Sequence, residues 1–178
     1  EKAEMAKNKI DGSEPLPLEE IKTPGKTSIE DVADFLQVPQ SHTFKTVFYI
    51  ADGRLIFAVI RGDLEVNEVK LKNALHCLEL RLATKAEVVE AGIVAGSASP
   101  IGISGVKIVA DDSVTSGANF VAGANKPDTH LTNANYPRDF TADLVADIAR
   151  ASDGEACHKC GSKLLSTHGI EVGHIFKL

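Results

Sequence analysis

Four groups of residues in this chain have types and spacings that could do chemistry. The first is a loop in which Gly92, Gly96, Ser97, Ser99, Pro100, Gly102, Ser104 and Gly105 crowd together. Glycine lets a backbone approach a ligand closely, and successive unpaired N–H groups can hold an oxyanion or a phosphate. The run lacks the Gly-Lys-Ser/Thr ending of a nucleotide-binding P-loop. A plain surface loop of the same composition stands as an equal alternative. The second is Lys45, which opens a β-rich run where an ammonium could reach into a cleft and hold a phosphate. A solvated strand-end lysine is the commoner case.

The third group is polar: Asp111 and Asp112 end an apolar run before a Ser/Thr/Gly turn, which one of them is expected to cap. His130 follows among polar residues, where a lone histidine is more often structural than catalytic. The fourth is Cys157-His158-Lys159-Cys160. Cys-x-x-Cys supplies half of a tetrahedral zinc site, which wants four ligands. His158, His168 or His174 could contribute, but there is no second Cys-x-x-Cys. A reduced surface loop is therefore the favoured reading, and zinc at Cys157 and Cys160 is not expected.

Elements that must position these groups can be read locally. Residues 1–26 are polar and broken by Pro15, Pro17 and Pro24, as in a leader or linker. Thr27 and Glu30 have capping-box spacing and open an amphipathic helix that Val38-Pro39 ends. Residues 45–51 and 54–60 are β-rich runs joined by Asp52-Gly53, a strong two-residue hairpin signal. The second run is nearly all apolar, which predicts burial on both faces. A helix is predicted over 64–75 and a short strand over 78–83. Thr84 and Glu87 repeat the capping-box spacing before another short helix. Strand-like segments follow at 106–110 and 119–125, with 130–135 and 140–148 completing the compact part. Short strands mixed with short helices predict an α+β domain with a mixed sheet. The spacing does not suggest a doubly wound parallel sheet.

Composition narrows the class. The chain has 178 residues, 43% of them apolar, with 19 Lys and Arg against 25 Asp and Glu. That is enough chain for one domain with a real core. A net charge of −6 argues against a protein that coats duplex DNA, although local contact with a nucleic-acid end stays open. No apolar run approaches the length of a membrane span. Three cysteines, an odd count, point to a reducing cytoplasm.

Several segments taken together resemble one family. They are Thr43-Phe44-Lys45-Thr46, the loop Gly96-Ser97-Ala98-Ser99-Pro100-Ile101-Gly102, Ala110-Asp111-Asp112-Ser113-Val114, Phe120–Asn125 and His130. Their order and spacing resemble the editing (insertion) domain of bacterial prolyl-tRNA synthetases, within the YbaK-like aminoacyl-tRNA deacylases. The tail Gly169–Phe176 resembles the stretch where those enzymes return to a class II catalytic core. The resemblance divides the chain into a leader (1–26), an editing domain (27–150), a linker with the Cys-x-x-Cys loop (151–168) and a returning strand (169–178). It implies a mixed, mostly antiparallel sheet or barrel flanked by short helices.

The same resemblance implies hydrolysis of alanyl-tRNA(Pro), an error that a proline-sized pocket cannot exclude by size. It places the family's essential lysine on Lys45, which would hold the terminal phosphate or ribose. The family's loop falls on Gly96, Ser97, Ala98, Ser99 and Pro100, continuing into Ile101 and Gly102, with backbone amides facing the ester carbonyl. Its aspartate falls on Asp111, with Asp112 as an open alternative. Its histidine falls on His130, which would set alanine over proline. Glu171 and His174 would belong to the proline pocket of the synthetase core. No metal or other cofactor is implied for editing; ATP and magnesium serve the core. The implied partners are the acceptor end of tRNA(Pro) and the rest of a homodimeric synthetase, with neither membrane nor DNA. A free-standing deacylase, a non-catalytic tRNA-binding appendage and a small zinc module are the competing readings.

Overall fold

Asp52 and Gly53 both adopt positive φ (45° and 76°), as a two-residue hairpin turn requires. The hairpin they close organises the domain. In the computed structural model, which describes residues 3–8, 10 and 14–167, the elements run in the following order. They are β1 (Glu19–Lys22), α1 (Ile29–Leu36), β2 (Phe44–Ala51), β3 (Arg54–Arg61), α2 (Glu68–Leu75), β4 (Leu80–Leu82), α3 (Lys85–Glu90), β5 (Lys107–Asp111), β6 (Phe120–Gly123), β7 (Thr129–Ala134) and β8 (Leu144–Ala146). The expected strand 169–176, with Glu171 and His174, lies outside the described residues, as does His168.

Two sheets form. The larger has the order β4-β2-β3-β5-β8, and the smaller has the order β1-β7-β6. Only β3–β5 and β5–β8 pair in parallel; the remaining pairs are antiparallel. The architecture is thus the mixed, mostly antiparallel α+β fold that was expected. Residues 19–22, inside the stretch read as a leader, are the edge strand of the smaller sheet, with Ile21 opposite His130.

Strand alternation explains why β3 is apolar throughout. Phe57 and Val59 point into a cluster with Phe44, Ile108, Phe120 and Phe140. Ile56 and Ala58 point the other way, into a cluster with Tyr49, Leu71, Val109 and Ile148. The first cluster joins the sheets. Phe44 of β2 stacks on Phe120 of β6 with ring centroids 4.2 Å apart, and Phe140 meets Phe44 edge-on at 5.8 Å. A single parallel bridge, Thr43 to Val121, fastens the sheets where β2 begins.

Two helix starts differ from expectation. The cap of α1 is Ser28, whose Oγ accepts from Asp31 N at 3.0 Å. Thr27 instead packs against the glycine loop, because a Cβ on Gly96 would lie 2.8 Å from Thr27 Cβ. The helix predicted from residue 64 starts at Glu68, since Asn67 caps it by accepting from Val69 N and Lys70 N. Leu64 and Val66 precede the helix, and Val66 bridges to Ala149. The Thr84–Glu87 capping box forms as predicted.

Residues 4–6 are held against a later segment. Ala6 N donates to Ala156 O at 2.7 Å, and His158 N donates to Glu4 O at 3.1 Å, so segments 4–6 and 156–158 run side by side. Lys7 Nζ then reaches both carboxylate oxygens of Asp111 at 2.9 Å, Asp147 Oδ1 at 2.7 Å, and Asp112. Lys70 Nζ holds the other Asp147 oxygen at 2.8 Å. Burial opposes ionisation of Asp147, but hydrogen bonds from Lys7 and Lys70, and their charges, win and hold its carboxyl below the usual range. Asp111 is fully buried and also accepts from Ser113 N and Ile148 N. Among the described residues no helix is long and apolar enough to cross a membrane.

Removing Lys7 strands the buried Asp111 carboxylate, so Lys7→Met is expected to cost about 3–5 kcal/mol, read by urea unfolding at neutral pH. Because the folded-state value of Asp147 is depressed, its contribution is complete above the unfolded aspartate value of about 3.9. It is lost as pH falls through the lower folded value. The stability gap between wild type and variant should therefore narrow in acid.

Candidate functional site

A cavity of about 280 Å³ opens where the two sheets part. Its walls come from the start of α1 (Ser28, Val32), from β2 (Phe44, Lys45, Thr46, Phe48), from the glycine loop (Gly96, Ala98), from β6 (Val121, Gly123) and from His130 of β7. Among the described residues no carboxylate lines it, and Lys45 is its one permanently charged lining group. Lys45 Nζ is 2.6 Å from Glu65 Oε1, which is 73% exposed at the side chain and so readily exchanged for another anion.

His130 is buried, and its Nδ1 lies 2.6 Å from Thr23 Oγ1, itself fully buried. Burial pushes the imidazole below its usual pKa, while the nearby Gly96 backbone acts weakly the other way. Burial thus favours the neutral ring, and the Thr23 contact holds it in place. Thr46 presents a different problem: its buried Oγ1 has no hydrogen-bond partner among the described residues. It shares a strand face with Phe44 and Phe48, where an isosteric valine would avoid that penalty.

The glycine loop follows from contacts, not from composition alone. A Cβ on Gly123 would stand 2.2 Å from Ser97 O and 2.7 Å from the Ala98 carbonyl carbon. Loop backbone thus rests directly on β6. Ser97 N donates to Val94 O, Ser99 N to Asn125 Oδ1, and Ile101 N to Ser99 Oγ. Pro100 has no N–H. Among the described residues, the amides of Gly96 and Ala98, both lining the cavity, meet no protein acceptor.

Of the residues singled out from sequence, the structure brings Lys45, Gly96, Ala98 and His130 together. Ser97 and Ser99 are buried beneath the loop at 3% and 1% exposure, and Pro100 is buried with them. Ile101 and Gly102 lie past the cavity wall, Gly102 in a turn with φ 75°. Asp111 and Asp112 are elsewhere, in the cluster around Lys7. Asp111 does cap the following turn, as one of the pair was expected to do. Cys157 and Cys160 are free thiols in a turn closed by Gly161 N to Cys157 O at 2.9 Å. The Cys160 thiol is pulled down by hydrogen bonds from Ser162 and then Cys157. Thr23 and Asn125 were missed as individual positions. Asn125 carried a signal, since an asparagine after Gly-Ala favours the left-handed turn it adopts (φ 55°).

Residues 23–140 match the model of the aminoacyl-tRNA editing domain, and the chain belongs to that family. Along its whole length it is 57% identical to a proline–tRNA ligase of Dehalococcoides mccartyi and 48% identical to one of Citrifermentans bemidjiense. It spans only 31–32% of those relatives. A solved structure, the hypothetical protein APE2540, matches with TM-score 0.66 and 25% identity over 76% of this chain and 93% of its own. A second, described as a candidate trans-editing enzyme for prolyl tRNA synthetase, shares the fold at TM-score 0.66 and 18% identity, over 75% of this chain and 87% of its own.

The contact between the loop and β6 is directly checkable. Gly123→Ala should destabilise the domain by about 1–3 kcal/mol, as overpacking does. An unchanged denaturation midpoint would show that the loop does not rest on β6.

Proposed function

We propose that this chain is the editing domain of a prolyl-tRNA synthetase and hydrolyses the ester of alanyl-tRNA(Pro) in the cytoplasm. The observation that carries the reading is one cavity in which Lys45, two unpartnered loop amides and the buried His130 held by Thr23 meet. Ester hydrolysis needs a water to attack the carbonyl carbon, giving a tetrahedral oxyanion. The acyl carbon–oxygen bond then breaks, and the 3′ oxygen of the terminal ribose leaves with a proton. Gly96 and Ala98 N–H would stabilise the oxyanion, a contribution that grows in a site with little water. Lys45 would exchange Glu65 for the terminal phosphate or ribose. His130, tied to Thr23, would bound the space for the amino-acid side chain and set alanine over proline.

No lining residue is placed to act as an ionised general base, so the neighbouring ribose hydroxyl of the substrate would help to activate the water. The reading uses neither metal nor cofactor in editing. ATP and magnesium would serve aminoacylation in the remainder of a homodimeric synthetase, where Glu171 and His174 would join the proline pocket. The place of Asp111 supports a structural part in editing: it holds Lys7 and the end of β5 and is not among the residues that line the cavity.

Incubation with alanyl-tRNA(Pro) and prolyl-tRNA(Pro), following loss of each ester, tests the reading. Selective loss of the alanyl ester is expected; survival of both, in this chain and in the full-length synthetase, would sink it. Lys45→Ala should slow hydrolysis by about a hundredfold without altering the fold. His130→Ala should let the prolyl ester in, so that prolyl-tRNA(Pro) is hydrolysed alongside the alanyl ester.

A further inference from the structure

We propose that Asn125 is the positioning residue of this site, holding the loop so that the Gly96 and Ala98 amides stay available as oxyanion donors; this rests on the hydrolytic reading above. Asn125 lies in the β6–β7 turn, which Ala124 N closes by donating to Thr129 O. From there it makes three hydrogen bonds to alternate loop residues. Its backbone N donates to Ser97 O at 2.7 Å, its Oδ1 accepts from Ser99 N at 2.9 Å, and its Nδ2 donates to Ile101 O at 2.8 Å. One residue thereby does the work of a short paired strand.

The alternation has a chemical result. Bonds fall on residues 97, 99 and 101 and leave 96 and 98, which line the cavity. On the other side, Thr27 packs on Gly96, where a Cβ would lie 2.8 Å from Thr27 Cβ, so the stretch carrying the two amides is held from both sides. Only a side chain with a donor and an acceptor on one short planar group can bond Ser99 N and Ile101 O together. Left-handed φ narrows the choice further, since asparagine tolerates it better than most residues. Aspartate keeps the shape but turns a carboxylate oxygen toward Ile101 O. Glycine keeps the turn and loses both side-chain bonds.

The test measures kcat and KM for alanyl-tRNA(Pro) with wild type, Asn125→Asp and Asn125→Gly, with circular dichroism and thermal melting alongside. Both variants should lower kcat by about ten- to a hundredfold, below the full loss of an oxyanion donor, because the amides are displaced and not removed. KM should stay within about twofold. As pH falls through the carboxylate range, Asn125→Asp should recover toward wild type, because a protonated carboxyl can again donate to Ile101 O. Asn125→Gly should not recover. Unchanged kcat in both variants overturns the proposal, as does a rise in KM alone or a loss of kcat that only tracks the unfolded fraction. Wild type inert both as this chain and in the full-length synthetase overturns the hydrolytic reading and this inference with it, whereas active wild type with equally active variants overturns this inference alone.

Discussion

The cavity depends on a backbone lying against a backbone. At Ser97 and Ala98 the loop approaches β6 so closely that position 123 has no room for a side chain. Residues with ordinary side chains would hold the two segments apart and leave nothing to shape the space between the sheets. Once the loop is seated, its polar groups must be satisfied from below, which Asn125 does. The amides of Gly96 and Ala98, two residues that line the cavity, meet no acceptor among the described residues. His130 lies opposite Gly123 on the next strand, so the same contact sets the distance from the loop to the imidazole.

Local signals in the sequence were reliable where the physics is local. The Asp52-Gly53 hairpin, the Thr84–Glu87 cap and the doubly buried β3 all formed, because turn chemistry, capping and alternation act within a few residues. Failures were of a different kind. Ser28 displaced Thr27 as a cap because Thr27 was needed against Gly96, a contact almost seventy residues away along the chain. Asn67 ended the apolar pattern that had suggested a longer α2. The pairing of Thr23 with His130 joins positions 107 apart, and no spacing rule announces it. The membership of Lys45, the loop and His130 in one site was legible through family resemblance. Spacing alone left each of them with an ordinary structural explanation.

Electrostatics is arranged in two separate places. The deepest carboxylate, Asp111, is bound to Lys7 and to two backbone amides, and it ties the N-terminal residues to the end of β5. The cavity, by contrast, is lined by a lysine and, among the described residues, by no acid, although the chain as a whole is negative by six charges. Net charge therefore says little about what this surface attracts. The charge nearest the cavity is Lys45, with an exposed partner in Glu65, and salt screens charges farther off than roughly 10 Å.

Pairing between residues 4–6 and 156–158 has a topological consequence. A module whose incoming and outgoing strands travel together touches its surroundings at one point, like a bead on a doubled thread. Such a unit can be carried within a loop of a larger polypeptide without forcing the flanking halves apart. The relatives, of which this chain spans less than a third, are long enough to be hosts of that kind.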